Sequence, residues 1–243
     1  MEKNKKKTAI VTGSGRGIGK ETAILLAKKR VNVVICSRTE GQINSVVKEI
    51  EEINGQEGAL GIKCDVSISS QVDSLIKSTI DKFGSHSIDI LVNNAGVAFK
   101  KKLIDTSEEE WNKTINTNLK GAFLFTRAVL PYMIARKSGG VIVNVNSGSG
   151  KVGFENSSSY CASKFGLVGL AESTALEVNI YNIRILTIFL GRVATKIWQD
   201  LDYNYYERYK NRMHKPQEVA TKIVEMIFDD KRYKNGEVEM YNV

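Results

Sequence analysis

The sequence predicts an α/β protein built on one doubly wound, predominantly parallel sheet of seven strands with helices on both faces. Three observations carry this. Short, β-branched apolar runs alternate with amphipathic stretches from end to end. The runs are nearly continuous rather than alternating, as expected for strands buried on both faces. The first run enters a glycine-rich turn and then an amphipathic helix, an order that directs backbone N–H groups at an anion.

The predicted strands are "TAIVTG" from Thr8, "VNVVIC" from Val31, "ALGIKC" from Ala59, "IDILVNN" from Ile88, "GVIVNVNS" from Gly140, "IRILTIF" from Ile183 and "GEVEMY" from Gly236. The intervals between them are long enough for helices. The first helix begins near Gly17. Pro131 falls inside a helical pattern and is expected to kink or divide it. Pro216 suits the first turn of a last helix with Val219, Ile223 and Ile227 on one face. The stretch "WQDLDYNYYERYKNRMHK", Trp198 to Lys215, is polar and rich in aromatics. It follows the C-terminal end of a strand, where open α/β sheets bind ligands. It therefore reads as a substrate loop or lid within about residues 192–215, or as a surface helix packing its tyrosines on the domain.

At 243 residues and 42% apolar content, the chain suits one domain over residues 1–243, with no repeat and no Pro/Gly/Ser-rich linker. No apolar run approaches the roughly 20 residues of a membrane-spanning helix. "TAIV" is too short for a signal-peptide core, so a cytoplasmic protein is expected. Cys36, Cys64 and Cys161 are odd in number and widely spaced, fitting neither a disulfide framework nor a zinc site. The two histidines, His86 and His214, read as surface loop residues, and no metal site is expected. The net charge of +8 lies in short scattered runs, "KNKKK", "KKR" and "KKK", without aromatic interleaving. That pattern is solvated surface rather than a nucleic-acid interface, and it favours phosphate-bearing small molecules by steering.

The glycine turn does not match G-x-G-x-x-G. It reads T-G-x-x-x-G-x-G from Thr12 to Gly19, with an extra glycine at Gly15. Glycines permit positive φ and close approach to a pyrophosphate. Further along come "DV" at Asp65, "NNAG" at Asn93, "NLKG" at Asn118, Ser147, and Y-x-x-x-K from Tyr160 to Lys164. In this order and spacing the chain resembles the short single-domain branch of the short-chain dehydrogenase/reductase family, from about Lys7 to the last helix. The resemblance implies a Rossmann-type domain, an NAD(P) cofactor and a small-molecule carbonyl or alcohol substrate. It also implies a homodimer or homotetramer, with no nucleic acid and no membrane as partner. The C-terminal "NGEVEMYNV" lacks the glycine pair common in the tetrameric relatives.

Cofactor contacts are expected from Gly13, Ser14, Gly15, Arg16, Gly17, Ile18 and Gly19 of the turn. Further contacts are expected from Ser37 and Arg38 after the second strand, from Asp65 and Val66 beside the adenine, and from Asn94, Ala95 and Gly96. Asn93 reads equally as a ligand contact and as a tie between strands. An acid about 20 residues past the glycine turn holds the ribose of NAD, and a basic residue accommodates the 2′-phosphate of NADP. Here Ser37 and Arg38 stand at that place, with Arg16 nearby, so NADP(H) is predicted over NAD(H). Gly191, Val193 and Thr195 are expected around the nicotinamide.

The resemblance assigns Asn118, Ser147, Tyr160 and Lys164 as the catalytic set. Tyr160 and Lys164, one helical turn apart, would serve as proton donor and pKa-lowering cation, and both also contact the cofactor. Ser147 would bind the developing oxyanion. Asn118 would bend a helix and hold a water that passes protons. Ser147, Tyr160 and Phe154 are the expected substrate contacts. Cys161 is expected on the opposite side of the helix from the chemistry. Two residues depart from the family pattern: Asn146 stands where a serine is common, and Leu190 where proline is usual. Carbonyl reduction is the reading these residues favour, with a non-catalytic dinucleotide-binding redox sensor as the alternative.

Overall fold

The computed structural model describes residues 6–84 and 88–241; His86 lies outside them. Seven strands form one sheet: β1 (Thr8–Thr12), β2 (Asn32–Ser37), β3 (Ala59–Lys63), β4 (Ile88–Asn93), β5 (Gly140–Ser147), β6 (Ile183–Leu190) and β7 (Val238–Tyr241). Their order is β3-β2-β1-β4-β5-β6-β7, and every pairing is parallel. All seven predicted strands are present.

Strand periodicity splits the core in two. Ala9, Val11, Val33, Ile35, Ile90 and Val92 face one side. There they meet α1 (Gly17–Lys28), α2 (Glu40–Asn54) and α9 (Pro216–Phe228) through Leu26, Ile50 and Ile223. The intervening Ile10, Val34 and Leu91 face the other side. They pack on α3 (Ser69–Phe83), α5 (Gly121–Arg136) and α6 (Ser158–Val178) through Leu75, Phe125 and Ala171. Burial on both faces is why the strands read as unbroken apolar runs.

The remaining helices are α4 (Glu108–Ile115), α7 (Lys196–Leu201) and α8 (Tyr203–Tyr209). Pro216 occupies the first turn of α9, and Val219, Ile223 and Ile227 are buried as predicted. Pro131 does not divide its helix: α5 runs unbroken from Gly121 to Arg136. A proline removes one N–H donor from the ladder, and the turns on both sides, with Val129 and Met133 fully buried, hold the helix together.

The chain begins mid-sheet. From β1 it winds outward to β2 and β3, then returns to β4 and winds the other way. The crevice between the carboxyl ends of β1 and β4 is the switch point at which such sheets bind ligands.

Candidate active site

The glycine turn lies at this switch point. Gly13 and Gly17 have φ of +65° and +58°, values that L side chains adopt only with strain. A Cβ at Gly13 would lie 2.9 Å from the Ala95 Cα, so turn and β4 end are in backbone contact. Thr12 stitches them further. Its hydroxyl accepts from the N–H groups of Asn94 (3.0 Å) and Ala95 (3.1 Å) and donates to the Val92 carbonyl. The Asn94 side chain donates to the Thr12 carbonyl (2.9 Å). Asn93 is a structural tie: its amide donates to Asn144 on β5 (2.9 Å) and Thr126 on α5 (3.1 Å).

A cleft of about 1240 Å³ starts at this turn, crosses the carboxyl edge of the sheet and ends at Tyr160. Such a volume exceeds the roughly 300–1,000 Å³ of an ordinary ligand pocket and leaves room for a dinucleotide and a second molecule. Of the predicted turn residues, Gly13, Gly15, Arg16, Gly17 and Ile18 line it. Ser14 and Gly19 do not. The Ser14 hydroxyl is buried, donating to the Val11 carbonyl (2.6 Å) and accepting from Cys36 N–H (2.9 Å). A Cβ at Gly19 would lie 2.5 Å from the Gly13 carbonyl oxygen, so this glycine lets α1 sit against the turn.

At the end beside β2 and β3 the cleft is lined by Ser37, Arg38, Asp65 and Val66, with Asn94, Ala95 and Gly96 beyond. Arg38 is exposed and reaches Asp65 only at 4.0 Å. Burial raises the Asp65 pKa, but hydrogen bonds from Ser67 and the Arg38 charge outweigh it and hold the carboxyl below its ordinary value. Glu40, the first residue of α2, does not line the cleft. Gln42 does, and the sequence reading missed it. A Cβ at Gly15 would lie 2.9 Å from both the Gln42 Oε1 and the Ser37 Oγ, which explains the extra glycine. Cys36 and Cys64 meet beneath this end, and their thiol–thiol hydrogen bond lowers Cys64 while raising Cys36.

The catalytic candidates converge at the other end. Ser147 ends β5, and its hydroxyl accepts from the Ser149 N–H (3.2 Å). Tyr160 and Lys164 lie on α6, with the ammonium 5.7 Å from the tyrosine ring centre. The Lys164 Nζ donates to the Val145 carbonyl (2.8 Å) and is buried. Asn118 sits in a π-helical turn, Asn116–Lys120, between α4 and α5, so the helix is interrupted at this residue. Its amide oxygen accepts from Val97 N–H (2.8 Å), and its NH₂ donates to the Val97 carbonyl (2.9 Å) and Ser163 (3.0 Å). Asn118 thus fastens the chain after β4 to α6; it borders a small recess that Lys164 also lines, outside the main cleft. Asn146 has a clear role. It accepts from Ser147 N–H (2.8 Å) and donates to the Lys164 carbonyl (3.1 Å), tying β5 to α6 across the site.

Protonation departs from expectation. Burial raises the Tyr160 phenol to about 12, and the hydrogen bond with Ser147 offsets this only in part. Burial also lowers Lys164 to about 8. Desolvation of the phenolate outweighs any cationic stabilisation by Lys164. Cys161 packs toward the Val152 carbonyl, outside the cleft.

The remaining wall comes from the chain after β6. Leu190 continues the strand in register with Ser147 and Tyr241, so the missing proline leaves the sheet intact. Gly191, Val193 and Thr195 line the cleft. Val193 bridges to His214, whose ring packs edge-on against Tyr241 and contacts Glu218. His214 is therefore a half-buried wall residue rather than a loop ornament. Residues 198–215 fold as α7, α8 and a 3₁₀ turn, with Trp198, Leu201, Tyr205 and Arg212 turned to the cleft and Phe154 also lining it. Among the described residues no cluster of three metal-ligating side chains occurs, and no helix is long and apolar enough to cross a membrane.

Sheet order, and a glycine turn opening a cleft at the switch point, define a nucleotide-binding type of doubly wound α/β protein. The chain belongs to the short chain dehydrogenase family, which it matches over residues 7–205. It is 34% identical to the 3-oxoacyl-[acyl-carrier-protein] reductase of Thermotoga maritima, over 96% of this chain and 94% of that protein. It is 32% identical to the trans-4-hydroxycyclohexanecarboxylate dehydrogenase of Sinomonas cyclohexanicum, over 95% and 89%. Its fold superposes on the crystal structure of a short-chain type dehydrogenase/reductase from Mycobacterium marinum with TM-score 0.88, 28% identity, and 97% and 93% coverage. These relatives support a carbonyl oxidoreductase.

Proposed function

We propose that the protein is an NADP(H)-dependent reductase that converts a ketone or 3-oxoacyl carbonyl to an alcohol, with Tyr160 as the proton donor. The observation that carries this reading is the convergence of Ser147, Tyr160 and Lys164 at the far end of a cleft that begins at a glycine turn. The residues fit a dinucleotide. The turn is glycine where a Cβ would collide, and its Gly17 backbone faces open space toward Thr195. Gly13, Gly15, Arg16, Gly17 and Ile18 would hold the pyrophosphate. Asp65, Val66, Asn94, Ala95 and Gly96 would flank the adenosine, and Gly191, Val193 and Thr195 the nicotinamide.

The bound nicotinamide supplies the hydride. Every other task falls to the chain. The Tyr160 phenol, pushed up to about 12 by desolvation, keeps its proton at neutral pH and is ready to protonate a developing alkoxide. That supports the reductive direction. Ser147 orients the carbonyl oxygen beside it. Lys164, which lines the same end of the cleft, would hold the nicotinamide ribose. Asn118 and Asn146 act at one remove, fixing α6 against β5 and the chain after β4.

NADP(H) is favoured by Ser37 and Arg38 in the cleft wall after β2, with Arg16 of the glycine turn adding a second positive charge to the same cleft; a guanidinium can bind a phosphate bidentately. The 3-oxoacyl-[acyl-carrier-protein] reductases among the relatives make a 3-oxoacyl thioester one substrate to try first. In the test, Tyr160→Phe lowers turnover by roughly 10²- to 10⁴-fold while NADPH binding, followed by fluorescence titration, persists. Unchanged turnover would sink the assignment and favour a cofactor sensor, which has no use for a tyrosine acid.

A further inference from the structure

Beyond the catalytic group, the substrate end of the cleft has an unusual charge balance. Lys100 is engaged by Asp202 at 3.0 Å, and Lys196 by Asp200 at 2.9 Å. Arg192 and Arg212 also line the cleft, and neither makes an ion pair with a carboxylate among the described residues. Among the described residues, Glu155 is the single carboxylate lining this end.

Arg192 is also positioned. Its guanidinium lies 5.5 Å from the Tyr205 ring centre, and that ring stacks on Trp198 (5.5 Å) and meets Tyr209 (4.6 Å). An arginine resting on an aromatic face keeps its in-plane N–H fork free for a planar anion. Backbone hydrogen bonds hold together the two segments that carry these exposed arginines. The His214 N–H donates to the Arg192 carbonyl (3.0 Å), and the Ala194 N–H donates to the His214 carbonyl (2.8 Å). This clamps the strand end bearing Arg192 to the segment bearing Arg212.

We propose that Arg192 and Arg212 select ketones bearing a carboxylate, with the hydrocarbon body of the substrate lying along the Trp198–Tyr205 wall. The inference rests on the carbonyl-reductase reading above and assigns the substrate class of the same site. A carboxylate takes two parallel hydrogen bonds from a guanidinium, whereas its amide cannot accept both. Arg212 adds a second charge from the facing segment.

The experiment measures kcat/KM with NADPH for matched pairs: 4-acetylbenzoate and 4-acetylbenzamide, and 4-oxocyclohexanecarboxylate and its carboxamide. The neutral N-acetylcysteamine thioester of acetoacetate runs beside them. In the wild type the acids are favoured by roughly tenfold or more, the scale of one charge-assisted contact. That ratio falls toward unity in Arg192→Leu, is partly retained in Arg192→Lys, and drops independently in Arg212→Leu. Added salt narrows it by raising KM for the acids alone. Equal use of acid and amide, a ratio unmoved by the variants, or a higher kcat/KM for the neutral thioester would each overturn the proposal and leave the reductase reading standing. A parallel loss of NADPH affinity in the arginine variants would assign them to the cofactor and also overturn it. If no compound turned over, the reductase reading would fall, and this inference with it.

Discussion

Replacing Lys164 with methionine isolates the cost of burying a charge in the site. Burial lowers its pKa from 10.5 to about 8. Below the folded pKa both states carry the proton, and the folded state bears the whole penalty, roughly 3 kcal/mol for a shift of this size. Lys164→Met removes the penalty, keeps a long unbranched chain, and loses the hydrogen bond to the Val145 carbonyl, which offsets about 1–2 kcal/mol. The variant is therefore expected to be more stable than the wild type by about 1–2 kcal/mol at neutral pH, a rise in Tm of roughly 2–8 °C, while turnover is lost. The sign of the pH dependence follows from proton counting. Between the folded pKa of about 8 and the unfolded 10.5, the unfolded state binds more protons, so wild-type stability rises with pH across that window. Urea unfolding of both proteins should then show the advantage of the variant shrinking by about 2 kcal/mol between about pH 7 and about pH 9.5. Taking the difference between the two proteins cancels titration elsewhere, and the interval ends before Tyr160 begins to titrate. A variant less stable than wild type by a margin that does not change with pH would refute the reasoning.

Arg38→Ala should raise the NADPH dissociation constant by roughly 10- to 100-fold, the loss of one charge-assisted phosphate contact, and leave NADH nearly untouched. A wild type that already prefers NADH in kcat/KM would contradict the assignment. Gly13→Ala forces a side chain into φ +65° against the Ala95 backbone 2.9 Å away. The strain of about 1–2 kcal/mol, before any collision, should lower Tm in cofactor-free protein by at least ~2 °C. Gly41→Ala is the contrasting control: it has open space around it within α2, so its melting point should hold or rise.

The strands were legible because burial on both faces leaves little choice of residue, and runs such as "VNVVIC" have no amphipathic reading to compete. Ser147, Tyr160 and Lys164 were expected together because two elements, the end of β5 and the first turns of α6, carry them, and all three line one cleft. What was not legible depends on neighbours distant in sequence. Gln42 lies on a helix face like any other polar residue, and only its contact with the Gly15 position marks it. The protonation of Tyr160 was misjudged because a sequence shows the lysine one turn away but not the burial that dominates both groups. Ser14 and Gly19 were swept up with the glycine turn, although one ties β1 to β2 and the other seats α1.

The same distinction explains why the two ends of the cleft differ in how much a sequence can say about them. The end at the glycine turn is formed by backbone geometry close to each strand end, where a misplaced Cβ would collide, so its residues are constrained by sterics. The substrate wall is formed when the Val193–His214 bridge brings together segments about twenty residues apart. Any side chains that preserve that bridge can stand beside it. None of Arg192, Tyr205 and Arg212 is constrained by the backbone sterics that hold the glycine turn. The charge at that wall is set by side chains that the fold itself does not dictate.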